Sequence, residues 1–178
     1  TVHLTSRTRP FLFDDTALDA AIYAGPAGWP GTESCFLMRE TLVVVGHPSL
    51  AAKGPLPPAR IAELPLLQQS TRPYIWRQWF ESLGLSVAHD MSGPRMELFS
   101  MLSEAAADGL GVALVPPFLV EHDLAQGRLA RLVDHEFRSD RSYYLIYPER
   151  KSENPGLSAF RDWFDREARS YRADAGLD

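Results

Sequence analysis

The segment 96–117, MELFSMLSEAAADGLGVALVPP, constrains the fold more than any other part of this chain. Before Gly109 its apolar residues recur at helical spacing, and after the glycines they form an unbroken run at 112–115. Gly109 suits the left-handed position just past a helix end, and Pro116 and Pro117 cannot donate to a sheet. The segment therefore predicts a helix that leads into a buried strand. Such strand ends border ligand crevices in open α/β sheets, although a bare αβ unit without a site fits the pattern equally well.

Length and composition favour an ordinary globular chain. The 178 residues are enough for one domain or two small ones, and 45% of them are hydrophobic and 23% charged. The net charge of −5 argues against nucleic-acid binding by this chain, because such binding requires clustered Lys and Arg. No apolar run approaches the ~20 residues of a membrane span, and the start resembles no signal peptide. We therefore expect a cytoplasmic protein without a membrane partner.

The start of the chain and its single cysteine give weaker indications. Because Thr1 is not a Met and opens directly in a predicted strand, we expect this sequence to be a fragment of a longer protein. The single Cys35 cannot form an internal disulfide and fits a reducing compartment. A buried small hydrophobe is a better interpretation of Cys35 than a redox switch.

Strands and helices alternate along the chain, which favours an α/β fold with a largely parallel sheet. Strands are predicted at 1–5, 19–23, 35–45 (as one or two strands), 64–68, 87–91, 112–115, 129–133 and 143–147. Helices are predicted at 59–63, 73–83, 96–108, 118–123 and 155–169, with a frayed tail from Ser170. In the last helix we expect the buried face to consist of Leu157, Phe160, Trp163 and Phe164.

The sequence lacks the usual signatures of catalysis, metal binding and cofactor binding. Its five histidines show no pair at metal-ligand spacing. The glycine pair at Gly109 and Gly111 leads into a strand, whereas a phosphate-binding loop leads into a helix. No serine or cysteine nucleophile motif occurs. We therefore predict that the chain is not an enzyme, has no catalytic residues, and takes no metal or cofactor.

Two polar clusters follow apolar runs. The first consists of Thr5, Ser6 and Arg7, and the second is QQSTR at 68–72. Their hydroxyl, amide and guanidinium groups suit a small anionic or polar ligand. Ordinary turn capping explains the same residues, and the pattern alone does not exclude it.

Several motifs, taken in order, resemble one known family. They are LDAAIYAG with WPG behind it (18–25 and 29–31), RETLVVVGHPSL (39–50), LPLLQQSTRPYIWRQWFESLGL (64–85), DGLGVALVPPFLV (108–120), GRLARL (127–132) and YYLIYPERKSENPGLSAFRDWF (143–164). Together they resemble the C-terminal effector-binding domain of LysR-type bacterial transcriptional regulators. The WPG turn and the WRQWF helix are most similar to the subgroup that includes the glycine-cleavage activator and the regulator of chromosomal β-lactamase.

The resemblance implies a two-lobed fold like that of type 2 periplasmic binding proteins, with the effector in the cleft between two α/β lobes. The crossing strands would fall near 41–45 and 143–147. Residues 1–41 and 149–178 would form lobe I, and residues 42–148 would form lobe II. The chain departs from the family at its start, where the DNA-binding domain, the linker helix and the first strand and helix of lobe I are missing. The resemblance therefore implies a fold that is truncated at the N-terminus.

The resemblance also implies where an effector binds. It places Ser6, with its neighbours Thr5 and Arg7, at a strand end of lobe I, and it places Gln69, Ser70 and Thr71 at the facing strand end of lobe II. Met96, at the start of the predicted helix, and Tyr143, on the return strand, should border the same cleft. These eight residues are the predicted effector-binding set.

The function implied by the resemblance is ligand sensing. A small-molecule effector would alter how attached helix-turn-helix domains sit on promoter DNA, in a protein that forms homodimers or homotetramers. A periplasmic solute-binding protein of the same fold is the alternative.

Overall fold

A computed structural model of the chain describes residues 1–9 and 11–176. The chain divides into two compact units, and each is built from two separate stretches of sequence. Unit 1 consists of Thr1–Thr8 and Thr41–Phe137, and unit 2 consists of Arg9–Glu40 and Arg138–Asp178. The lobe ranges implied by the resemblance, 1–41 with 149–178 and 42–148, stay a prediction.

Strands and helices together make up an α/β structure. The strands are β1 (Ala21–Gly25), β2 (Thr32–Gly46), β3 (Gln68–Gln69), β4 (Arg95–Met96), β5 (Ala113–Val115), β6 (Ala130–Arg131) and β7 (Phe137–Pro148). The helices are α1 (Pro58–Ile61), α2 (Ile75–Ser82), α3 (Phe99–Ala107), α4 (Glu121–Ala125) and α5 (Pro155–Ala175). Short 3-10 turns occupy Phe13–Asp15, Pro48–Ala51, Pro117–Leu119 and Glu149–Lys151.

Unit 1 has two apolar cores, one on each face of its central sheet. Strand β2 pairs with β5 and with β6, in both cases antiparallel. Because successive side chains of a strand point to opposite faces, Leu42 and Val44 join the core that contains α2, whereas Val43 and Val45 join the core that contains α3. A strand buried on both faces carries a continuous apolar run, and this explains the LVVV sequence of β2.

Helix α3 and strand β5 form the pair that segment 96–117 predicts. The helix ends before Gly109, whose φ of 78° is the left-handed conformation expected just past a helix end. The Leu110 amide donates to the carbonyl of Ala105, which closes the helix end. The strand Ala113–Val115 is buried along its whole length and stops before the two prolines.

The short strands β3 and β4 pair in parallel beside α3, with Gln68 opposite Arg95 and Gln69 opposite Met96. Gly93 precedes β4 and has a φ of 130°, a backbone conformation that residues other than glycine rarely adopt. A Cβ atom at Gly93 would also overlap the Leu66 carbonyl oxygen. The glycine therefore permits the close approach that brings β4 alongside β3.

Unit 2 is a sheet covered by the long helix α5. Strand β1 pairs antiparallel with β7, and β7 is the neighbour of β2 in the same sheet. Asn154 caps α5, since its side chain accepts hydrogen bonds from the amides of Gly156 and Leu157. The core of the unit joins residues of the sheet to the helix, and it comprises Leu37, Leu145, Tyr147, Leu157 and Ala168.

The pairing of the strands corrects one expectation from the sequence. The registers of β2 with β5, β2 with β6 and β1 with β7 are antiparallel, so the prediction of a largely parallel sheet is wrong for these strands. Alternating strands and helices favour parallel pairing. Here the long strands β2 and β7 are neighbours in one sheet, and β7 pairs antiparallel with β1 while β2 pairs antiparallel with β5 and β6. Parallel pairing is seen between β3 and β4 and in the bridge between Leu66 and Val112.

Three other local predictions are wrong. Residues 1–5 form no strand: Val2 and Leu4 are 61% and 87% exposed, and an alternating pattern gives a strand only where a neighbour pairs with it. Residues 87–91 form turns rather than a strand. Helix α5 continues through Ser170 to Ala175, beyond the predicted start of a frayed tail.

Among the described residues, no helix is both long enough and apolar enough to cross a membrane.

Candidate functional site

The end of β3 and the strand β4 bring three of the predicted residues together in unit 1. Gln69 and Met96 are register partners. The amide of Ser70 donates to the Met96 carbonyl at 2.9 Å, and the Ser70 hydroxyl donates to the same oxygen at 3.2 Å. Met96 lies in β4, not at the start of the helix as predicted, because α3 begins only at Phe99.

The two glutamines of β3 point to opposite faces of the strand. Gln68 is fully buried on the face of α2, and its Nε2 donates to the carbonyls of Ser92 and Asp90 at 3.0 and 3.1 Å. Gln69 is 6% exposed on the face of α3, and its Nε2 lies 3.4 Å from the carbonyl oxygen of Glu97. In both residues the buried Oε1 has no hydrogen-bond donor among the described residues.

The first turn of α3 is adjacent to Gln69. The first amides of an α-helix have no acceptor within the helix, and Leu98, the N-cap residue of α3, provides no side-chain acceptor for them. The buried side chain of Arg72 places its guanidinium carbon 5.3 Å from the centre of the Phe99 ring. The positive end of the helix dipole and this guanidinium both favour an anionic group at this end of α3.

The remaining predicted residues of unit 1 are exposed. Thr71 follows Ser70 on the surface, and Thr5, Ser6 and Arg7 lie in the irregular segment that precedes unit 2 in sequence. The strand that was to position Ser6 is not formed. An effector contact by Thr5, Ser6, Arg7 or Thr71 stays a prediction.

Tyr143 belongs to unit 2, where it takes part in a polar cluster at the start of β7. Its hydroxyl donates to Glu40 Oε1 at 2.9 Å, and the Ser139 hydroxyl donates to Glu40 Oε2 at 2.7 Å. Glu40 is 1% exposed. Sequence analysis missed Glu40 and Ser139 as partners of Tyr143, although a carboxylate inside the apolar run of β2 is a signal that could have indicated a paired, buried charge.

A groove with a volume of about 390 Å³ opens in unit 1 between α2 and the segment 85–90. It contains the ion pair of Arg77 with the buried Asp90, in which Nε and Nη2 donate to the two carboxylate oxygens at 2.8 and 3.1 Å. This hydrogen bonding and the charge of Asp90 raise the pKa of the Arg77 guanidinium. None of the eight predicted effector-binding residues lines this groove.

The described residues contain no group of three or more His, Cys, Asp and Glu side chains that could hold a metal ion. The polar groups at the end of β3 are amides, a hydroxyl and a guanidinium, and those around Glu40 are two hydroxyls and one carboxylate. Such groups bind and orient a small polar molecule by hydrogen bonds.

Comparison with protein families gives one match that extends over nearly the whole chain. The family model of the LysR substrate binding domain matches residues 1–169.

Curated proteins similar to this chain include two transcriptional activators. The chain is 34% identical over 146 residues to the HTH-type transcriptional activator AmpR of Rhodobacter capsulatus, which covers 82% of this chain and 49% of that protein. It is 30% identical over 164 residues to the glycine cleavage system transcriptional activator of Escherichia coli K12, which covers 91% of this chain and 53% of that protein. The chain thus spans about half the length of these curated relatives.

Solved structures similar to this chain are also domains of transcriptional regulators. The effector domain of the transcriptional regulator AmpR of Pseudomonas aeruginosa superposes with a TM-score of 0.86 at 28% identity, over 99% of this chain and 84% of that domain. The regulatory domain of CrgA, a LysR-type regulator of Neisseria meningitidis, has a TM-score of 0.68 at 21% identity, over 85% of this chain and 76% of that domain. The second likeness supports the fold alone.

Proposed function

The chain belongs to the LysR substrate-binding-domain family, and we propose that it is the effector-sensing part of a DNA-binding transcriptional regulator. The observation that carries this proposal is the match of the family model to residues 1–169. The relatives AmpR and the glycine cleavage activator are transcriptional regulators, which favours this function over that of a periplasmic solute-binding protein or an enzyme.

Effector binding would use the polar groups at the end of β3 and the start of α3. Gln69, Ser70, Thr71 and Met96 are the proposed contacts in unit 1, and the orientation of the Ser70 hydroxyl supports this proposal. Its proton is directed to the Met96 carbonyl at 3.2 Å, so its lone pairs can accept a hydrogen bond from a ligand.

Tyr143 is the proposed contact in unit 2, and Thr5, Ser6 and Arg7, which belong to unit 1, complete the predicted set. The Tyr143 hydroxyl donates to Glu40, which fixes the orientation of the phenol ring. Ring orientation that is fixed in advance lowers the entropy lost on binding.

Regulation then requires that the effector bind two states of the protein with different affinity. In the full-length protein, both states would contact promoter DNA through a helix-turn-helix domain. The net charge of −5 on this chain favours DNA binding by another domain rather than by the chain itself. We also propose that the protein works as a homodimer or homotetramer in the cytoplasm.

The experiment that tests effector binding is a ligand screen followed by calorimetry on the full-length protein. A thermal-shift screen of amino acids, aromatic acids and cell-wall fragments identifies a ligand, since binding to the native state raises the unfolding temperature. We expect Ser70→Ala with Thr71→Ala to weaken binding of that ligand about tenfold, at a cost of about 1 kcal/mol in the free energy of unfolding.

The control is Ser86→Ala, which removes an exposed hydroxyl from the same unit outside the proposed site. It should leave both affinity and stability unchanged. Equal affinity in the double variant and the control would remove Ser70 and Thr71 from the site. A screen in which no small molecule of any class binds would contradict the sensing function itself.

A further inference from the structure

The side chain of Gln69 in unit 1 is buried and polar but only half satisfied, as is that of its neighbour Gln68. Gln69 is 6% exposed, and its Oε1 has no donor among the described residues. A buried acceptor without a donor costs free energy, and such atoms in native structures call for an explanation.

The orientation of the Gln69 carboxamide follows from its surroundings. Its Nε2 lies 3.4 Å from the carbonyl oxygen of Glu97, directly before the first turn of α3. Rotating the carboxamide by 180° would bring Oε1 against that carbonyl, and two acceptors would then face each other. Oε1 is therefore the atom left without a partner.

Gln68 provides an internal comparison. Its Nε2 is held by the carbonyls of Asp90 and Ser92 at 3.1 and 3.0 Å, so its carboxamide fastens the turn at 90–92 to β3. Gln69 makes one long bond and does little to hold the fold. The difference separates a structural glutamine from one that is available for another role.

Two kinds of polar groups lie at the end of β3 and the start of α3, close to Gln69 in the chain or in the sheet. The Ser70 hydroxyl donates to Met96 and so presents lone pairs, which makes it a second acceptor. The first amides of α3 are donors without a capping side chain, at the positive end of the helix dipole. A ligand that matches both carries an N–H donor close to an acidic group.

We propose that Gln69 is a specificity-determining residue of the effector site, where its Oε1 accepts a hydrogen bond from an ammonium or amide N–H that the effector carries beside a carboxylate. This inference rests on the proposed sensing function. Since Oε1 is enclosed, the effector reaches it when a side chain that covers it rotates, while the bond from Nε2 to the Glu97 carbonyl keeps the orientation of the carboxamide. An acid that lacks the N–H leaves Oε1 unpaired and is discriminated against for that reason.

The test uses the full-length protein and matched ligand series. Each series contains an L-amino acid, its N-acetyl derivative, and the corresponding acid without nitrogen, for example L-phenylalanine, N-acetyl-L-phenylalanine and 3-phenylpropionate, with alanine and leucine series beside it. Calorimetry gives the ratio of affinities within each series. We expect a nitrogen-bearing member of at least one series to bind about tenfold more tightly than the acid without nitrogen.

Three variants assign this ratio to Gln69. Gln69→Met should abolish the ratio and leave the unfolding temperature unchanged or raised, because it removes an unpaired acceptor. Gln68→Met, the matched control, should lower the unfolding temperature and keep the ratio. Gln69→Glu keeps an acceptor at the position and should keep a preference for the nitrogen-bearing member, which tests the inference even if Gln69→Met does not fold.

Two results would overturn the inference and leave the sensing function intact. One is equal affinity for all three members in every series that binds, and the other is a ratio that Gln69→Met does not change. Binding only of compounds without an N–H, such as simple carboxylates or aromatic acids, would have the same meaning. If no compound of any class binds, the sensing function fails together with the inference.

Discussion

Helix α2 in unit 1 and helix α5 in unit 2 carry three aromatic residues at the same spacing, and the two helices bury them differently. In α2 the residues are Trp76, Trp79 and Phe80, and none is more than 1% exposed. In α5 they are Phe160, Trp163 and Phe164, and Trp163 is 46% exposed while the other two are half-buried. Equal spacing in the sequence therefore does not mean an equal role in the core.

The difference comes from what each helix packs against. The aromatic side chains of α2 belong to the core that also contains Leu42 and Val44 of the central sheet. The Trp76 indole also donates to the Leu67 carbonyl at 2.9 Å, which satisfies its polar atom in the core. Helix α2 is thus attached to the sheet by its aromatic face.

Helix α5 contacts its sheet through a different set of side chains, two of which are arginines. Arg161 Nη1 donates to the Tyr147 hydroxyl at 3.3 Å, and its guanidinium carbon lies 5.9 Å from the centre of that ring. Arg172 donates to the Leu37 carbonyl, and its guanidinium carbon lies 5.3 Å from the centre of the Phe36 ring. Arginine side chains can cover apolar surface with their stems while the charged ends remain hydrogen-bonded.

Truncation of Trp76 gives the largest effect expected from this comparison. Trp76→Ala empties a fully buried site and leaves the Leu67 carbonyl without its donor, so we expect a loss of about 3–5 kcal/mol in the free energy of unfolding. Chemical denaturation followed by circular dichroism measures it. A loss below about 1 kcal/mol would show that the core around α2 closes over the missing indole and would remove the contrast with α5.

The same substitution in α5 should have a much smaller effect. Trp163→Ala removes a ring that is 46% exposed and stacked on Phe164 with centroids 5.8 Å apart. We expect a loss of about 1 kcal/mol or less, measured in the same denaturation experiment. Equal losses for Trp163→Ala and Trp76→Ala would contradict the assignment of the two aromatic faces.

These helices also show which features the sequence could predict. Apolar periodicity located both helices, and the three- and four-residue spacing of Trp76, Trp79 and Phe80 predicts the face of α2 that is buried. In α5 the periodicity was right for Leu157, Phe160 and Phe164, which lie in or against the core, and wrong for Trp163, which is 46% exposed. The contact surface of α5 includes Arg161 and Arg172, and a pattern that counts only apolar residues places the face off-centre.

The candidate site shows the same limit. The polar residues at the end of β3 were predicted from their position after an apolar run, and the register of Gln69 with Met96 agrees with their proximity. Glu40 was not predicted, because its partners Ser139 and Tyr143 are about 100 residues away in the chain. The carboxylate inside an apolar run indicates a paired charge, but strand pairing over such a separation leaves no local signal that identifies the partners.

The smallest effect concerns Cys35, which lies beside α5 with its Sγ 3.9 Å from Asp165 Oδ1. Burial of the thiol, and then the charge of Asp165, raise the pKa of Cys35, while Arg161 and Arg169 oppose the shift. The folded state then holds the thiol proton more tightly than the unfolded state, whose thiol has a pKa of about 8.5. Stability from this group is therefore complete below that pH and decreases as the pH rises above it.

We expect the rate of Cys35 alkylation by iodoacetamide to rise with pH at a higher midpoint in the folded chain than in the chain unfolded by urea. Asp165→Asn should move the folded midpoint downward, because it removes the second cause of the shift. A folded midpoint at or below the unfolded one would show that the two arginines outweigh burial and Asp165. Arginine charge would then dominate the surroundings of the thiol beside α5, and the contrast with the apolar face of α2 would become larger.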